Sequence, residues 1–176
     1  MNNADKTACE VLYKPESDKY DRDIRMFQGC PTVAVTKGGR IYLGWYAGGT
    51  GEPHMENYNL LIYSDDKGAT WSKPLIVIPS SYENRVHALD IQLFTDPCGA
   101  LHILWVQNNT YEFKGEIPEK SEYQPIVVRD GWVFPDMRHS EWEIVCKDPD
   151  ADAPEFSKPR FLFNGFLRCK PAFLKN

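Results

Sequence analysis

The chain has 176 residues, 42% of them hydrophobic and 13% aromatic, enough for one domain with a sizeable core and too few for two ordinary ones. Its 20 basic and 25 acidic residues leave a net charge of −5, which offers no electrostatic footprint for nucleic acid or an anionic membrane. No apolar run approaches the ~20 residues that cross a bilayer, and Met1 to Lys14 lacks the basic and apolar regions of a signal peptide. The expected location is therefore the cytoplasm, or outside the cell if a leader has been removed.

In chain order, residues 1–28 read as a polar N-terminal segment. Short runs rich in β-branched and aromatic residues follow, cut by Gly, Pro and Asp turns, a pattern that predicts an all-β fold. Thr32–Thr36 and Arg40–Ala47 form a hairpin across Lys37-Gly38-Gly39, and Asn59–Ser64 and Trp71–Ile78 flank the turn Asp65-Asp66-Lys67-Gly68. Those four strands, within 29–80, make one antiparallel unit. A second unit, 86–165, repeats the first: Pro31 to Trp45 and Ile91 to Trp105 both run an apolar stretch, a Gly-containing turn and alternating apolar residues over an interval of 14. Trp45, Trp105 and Trp142 stand at alternating strand positions and read as core. The second unit carries an insertion over 107–140, and a third opening begins at 168–176. Repeated four-strand units are the mark of a β-propeller, and this chain holds about two and a half blades where closed rings use ~4–8. A β-sandwich with coincidental spacing is the competing architecture.

The five cysteines, Cys9, Cys30, Cys98, Cys146 and Cys169, are odd in number and widely spaced. They read as buried free thiols, with no structural metal site or disulfide framework.

Ser64-Asp65-Asp66-Lys67-Gly68-Ala69-Thr70-Trp71 fits Ser-x-Asp-x-Gly-x-Thr-Trp at every defined position. Asp66 is placed to accept N–H bonds inside the turn, Gly68 to take φ > 0, and Trp71 to pack between sheets. A worn copy runs from Asp148 to Pro159. On these residues and the flanking repeat, the chain resembles the bacterial sialidase-like family with Asp-box (BNR) repeats, which implies a partial propeller of the six-bladed type, within the ~4–8 range above. The resemblance also implies an exo-acting glycoside hydrolase, with a glycan as partner and no organic cofactor. That family opens its first blade with Phe/Tyr-Arg-Ile-Pro, whose arginine grips a carboxylate; here Gln28-Gly29-Cys30-Pro31 puts glycine at the arginine position. The family's nucleophilic tyrosine would fall in later blades.

In a four-stranded blade the second–third loops and the inter-blade connections share the face opposite the Asp box, and a ligand site is expected there. The first such loop carries Glu52 and Glu56, one of which takes the family's acid/base role by position. The connection to the second unit carries Arg85, His87 and Asp90. His87 is a further acid or base with an ordinary pKa near neutrality. Gln107, Arg138 and His139 belong to the long insertion, and Arg168 and Lys170 to the last connection; these would hold an acidic or deoxy sugar. Trp132 or Tyr111 would stack on a ring. The plainer alternatives are solvated loop carboxylates for Glu52 and Glu56, a turn cap for Asp90, a structural histidine for His87, and loop anchors for Arg138 and His139. A non-catalytic carbohydrate-binding propeller and a polysaccharide lyase are the alternative functions. An open ring leaves strand edges unpaired, so a fragment of a longer protein, or self-association through those edges, is expected.

Overall fold

The computed structural model describes residues 9–115, 126–135 and 139–174. They form an all-β structure of three antiparallel sheets, none of them closed. The first sheet contains β1 (Leu12–Tyr13), β2 (Gln28–Val35), β3 (Ile41–Ala47), β4 (Tyr58–Ser64) and β5 (Ile76–Pro79), in the order β1-β5-β4-β3-β2. The second contains β6 (Val86–Thr95), β7 (Leu101–Asn109), β11 (His139–Cys146) and β12 (Arg160–Asn164), in the order β12-β11-β7-β6. Between β7 and β11 lies a small third sheet of β8 (Tyr111–Glu112), β9 (Ile126–Arg129) and β10 (Trp132–Pro135). Part of the 107–140 insertion, expected as loop, is therefore sheet. Its β9–β10 turn is Asp130-Gly131 with φ of 47° and 79°, the Asp-Gly pairing that two-residue hairpins require.

The two large sheets stack face to face. Ala34, Tyr42, Leu61, Ile76 and Ile78 of the first meet Ile91, Leu93, Ile103, Trp105, Trp142 and Ile144 of the second in one buried cluster. The other face of the first sheet carries Trp45, Leu60, Ile62 and Val77 and is covered by Tyr20 from the N-terminal segment. Alternation along each strand sends successive side chains to opposite faces, so all three tryptophans expected in the core are buried there.

At the Asp-box end the sheets are clamped by Arg40, 8% exposed. Its guanidinium pairs with Asp65 at 2.6 Å and donates to the Pro149 and Ala151 carbonyls at 3.0 and 2.7 Å. Asp150 accepts from Gly38 N–H at 2.9 Å and from the Thr36 hydroxyl.

The turn itself follows its motif. The Ser64 hydroxyl accepts from Gly68 N–H at 2.8 Å and donates to Asp66, whose carboxylate accepts from the Thr70 amide and hydroxyl at 2.8 and 2.6 Å. Those donors hold Asp66 down at about 2. Gly68 has φ 89°. The worn copy keeps one element of this pattern. Ser157 N–H donates to Val145 O and Val145 N–H to the Ser157 hydroxyl, as Ser72 does with Tyr63.

Four expectations need correction. Trp71 is 41% exposed and leans over Gly68 rather than packing between sheets. Phe156, at the same place in the second sheet, does pack there, against the inter-sheet core and Tyr13. The difference is physical: Phe156 has the first sheet to meet, whereas no described sheet lies on the corresponding side of Trp71. The strand expected over Trp71–Ile78 begins only at Ile76, because Pro74 has no N–H to give a ladder. Among the described residues of the last opening no strand forms; Phe173 lies beside Phe94 on the second sheet. Finally, all five cysteines are free, but Cys30, Cys98 and Cys169 are exposed.

Candidate functional site

The end opposite the Asp box holds two adjoining hollows of 220 and 290 Å3, which share Asp90, Phe166 and Arg168. Together they fall within the ~300–1,000 Å3 of small-molecule sites.

Backbone irregularity on the edge strands β2 and β6 shapes their mouth. β2 bulges between Gly29 and Thr32, and β6 between Leu89 and Gln92. At these bulges Cys30 and Asp90 take φ of 48° and 47°. Bulges re-aim side chains next to sites, and here they bring the Cys30 thiol against the Asp90 carboxylate. Burial raises the carboxyl pKa of Asp90, more than the nearby Cys30, Arg168 and His139 lower it. The thiol of Cys30 is itself pushed up to about 11 by burial and Asp90. One Asp90 oxygen, Oδ1, is buried without a partner among the described residues.

The wall comes from the loop after β3. Asn57 is its hub: the side-chain amide donates to the Gly48 and Gly51 carbonyls, and Oδ1 accepts from His54 N–H at 2.7 Å. His87 Nε2 lies 3.1 Å from the same oxygen. His87 is fully buried and edge-on to Phe134 at 5.2 Å. Burial, with His54 and His139 nearby, pulls its pKa down to about 3. It is a neutral imidazole, not the acid or base near neutrality that its type suggests. His54 in turn reaches Asp130 at 2.8 Å and ties the loop to the third sheet.

The last connection closes the far side. Phe166 stacks on His139 at 5.1 Å and carries the Arg168 guanidinium 4.3 Å from its ring centre. Lys170 lines the adjoining hollow, with Nζ on the Val33 carbonyl at 2.6 Å.

Of the residues singled out from sequence, Glu52, His87, Asp90, His139 and Arg168 therefore meet at one hollow, with Lys170 beside it. Glu56 is exposed and, like Arg85, is absent from the lining. Gln107 is buried on the opposite face of β7, where it accepts from Cys9 N–H at 3.0 Å and anchors the N-terminal segment. Arg138 lies outside the described residues. Trp132 packs against Tyr82 and Tyr111 pairs with Val133, so neither lines the hollow. Among the described residues no cluster of His, Cys, Asp and Glu has the geometry of a metal site, and no helix is long and apolar enough to cross a membrane.

Sequence reading missed Glu141. It is fully buried, with Oε2 accepting from Leu167 N–H at 3.2 Å and Oε1 unpartnered among the described residues. Burial, reinforced by Asp90, lifts it to about 7. The signal was available: Glu141-Trp142-Glu143 places acids on one face of a strand whose other face is core. Glu143, two residues on, differs in having partners for its carboxylate, His102 and Arg160.

No protein-family model and no curated protein matches the chain. It is similar to the crystal structure of a protein of unknown function from Dyadobacter fermentans DSM 18053, at 19% identity and a TM-score of 0.48, over 77% of this chain and 36% of that one. The chain thus spans about a third of the length of that protein.

Proposed function

We propose that the two stacked sheets are neighbouring blades of a sialidase-like propeller, and that the hollow at their inner edges cleaves a glycosidic bond in an acidic or deoxy sugar. The architectural part is supported by the repeated bulge and the paired Ser72 and Ser157 contacts. The chemical part is carried by one observation: Asp90, a carboxyl of raised pKa with a buried unpartnered oxygen, faces a hollow that also holds Glu52 and Arg168.

A carboxyl that keeps its proton nearer neutrality is suited to protonate a leaving-group oxygen. Asp90 takes that role in preference to Glu56, which stands away from the hollow. Glu52, across the opening, is the second carboxylate. Arg168, held flat on Phe166, offers paired donors to a sugar carboxylate or hydroxyl. A lyase would need a basic histidine, and a His87 that titrates at about 3 is a poor one.

Asp90→Asn is the informative substitution, because asparagine also accepts the positive φ at this bulge. With a panel of chromogenic glycosides, the native chain should release monosaccharide and the variant should lose ~100-fold or more in rate. Failure to cleave any member, or equal cleavage by the variant, rejects the hydrolase. A non-catalytic glycan-binding propeller is the second reading. Gly29 favours it, since it stands where the resemblance calls for an arginine, and a Cβ there would already press on the Tyr46 ring at 3.3 Å.

A further inference from the structure

The floor of the hollow has a polarity of its own. His87, Asn108 and His139 are directly opposite one another on β6, β7 and β11, so they form a row on one face of the second sheet. The tautomer of His87 follows from its neighbour. Asn57 spends its amide protons on two backbone carbonyls and turns Oδ1 to His87. An oxygen cannot donate, so Nε2 carries the ring proton and Nδ1 is a bare lone pair. That Nδ1 is buried without a partner among the described residues, as are Asn108 Oδ1 and Asp90 Oδ1. All three residues line the same hollow, and the His87 and Asn108 atoms are acceptors whose burial is costly until a donor arrives.

We infer that this floor is a hydroxyl-recognition subsite, which takes the uncharged, hydroxyl-bearing face of a sugar ring against the acceptors of His87 and Asn108, beside Asp90. The inference rests on the glycan reading above and narrows its substrate to the deoxy or otherwise neutral class at this end. An anionic group brings acceptors only and leaves His87 Nδ1 and Asn108 Oδ1 unmet. An ammonium group would have to be desolvated beside a neutral imidazole, with the Arg168 cation at the rim. A hydroxyl donates to one acceptor and accepts from another group at no charge cost, and Phe134 in the lining supplies an apolar wall for the ring's C–H groups.

The test uses the full chain and a panel of neutral hexoses and 6-deoxyhexoses with the matching uronates and amino sugars. Binding is read by calorimetry and by the side-chain nitrogen resonances of His87. A neutral member should bind, shift the Nδ1 resonance of His87 and leave Nε2 protonated. His87→Gln keeps a donor for Asn57 but loses the Nδ1 acceptor; Asn108→Leu removes the second acceptor. Each should weaken that binding at least tenfold with the melting temperature held. The resonance shift is measured on the native chain, so it stands even if a variant folds poorly. Sugar binding that leaves Nδ1 unshifted and both variants unaffected overturns the subsite while the glycan reading survives. Tightest binding by uronates through His87 also overturns it. No binding by any member overturns both.

Discussion

At the residue scale, two buried groups of the second sheet have titrations that oppose each other. Glu141 has a folded-state pKa raised to about 7 by burial. In the window from its ordinary value up to about 7 the folded chain holds a proton the unfolded chain has lost, so stability falls as pH rises. His87 has a folded-state pKa lowered to about 3. From about 6.5 downwards the unfolded chain gains a proton that the folded one refuses, so stability falls as pH falls. Where the windows overlap, between about 4.5 and 6.5, the slopes cancel. Glu141→Gln removes one of them. Denaturant melts of that variant should show stability climbing by up to about 1.4 kcal/mol per pH unit across the overlap, against a flatter native profile, and the variant should be the more stable at pH 8. Matching profiles for variant and native chain would mean that Glu141 is solvated and ordinary.

At the element scale, the repeat is written in turns more than in strands. Ser72-Lys73-Pro74 and Ser157-Lys158-Pro159 each end a loop by the same device, a serine that returns an amide and a hydroxyl to the preceding strand. Ser72→Ala and Ser157→Ala should each cost about 1 kcal/mol, and because the serines sit on different sheets the losses should add in the double variant. A marked departure from additivity in thermal melts would show that the two sheets couple through these turns. This periodicity is what made the sheets legible: apolar alternation places β2, β3, β4, β6 and β7, and the eight-residue motif fixes its turn down to the hydrogen bonds. The site was half legible. Glu52, His87, Asp90, His139 and Arg168 were found because connections at one end must converge. Glu56 and Gln107 were misplaced because adjacency in sequence does not fix which way a loop or strand residue points. Glu141 escaped because a strand carboxylate reads as solvent-facing unless the opposite face is recognised as core, and the Asp90 bulge because local pairing alone does not betray an extra residue.

At the scale of the whole molecule, the decisive feature is how two edge strands, β2 and β6, remain unpaired beside each other. Among the described residues β2 pairs with β3 alone, and β6 with β7 apart from a single bridge between Val86 and Ser81. Their free edges are met by side chains instead. The Thr32 hydroxyl accepts from Leu93 N–H at 3.2 Å, the Thr95 hydroxyl donates to Val35 O at 3.4 Å, and Lys170 donates to Val33 O at 2.6 Å. Val33 and Val35 are 46% and 54% exposed, so β2 joins apolar side chains to carbonyls that only such contacts cover. Unguarded, that is a template for another strand, and lysine is a common guard because it caps the edge and repels a second copy. Lys170 thereby has a structural task separate from ligand binding. Lys170→Ala should raise concentration-dependent association in sedimentation velocity, and Lys170→Met, which keeps the stem but loses both charge and donor, should do the same. High salt should push the native chain in that direction, because screening weakens repulsion between like edges. If the variants remain as dispersed as the native chain at every concentration, the β2 edge is protected by its twist and by Thr95 alone, and Lys170 is left to the hollow.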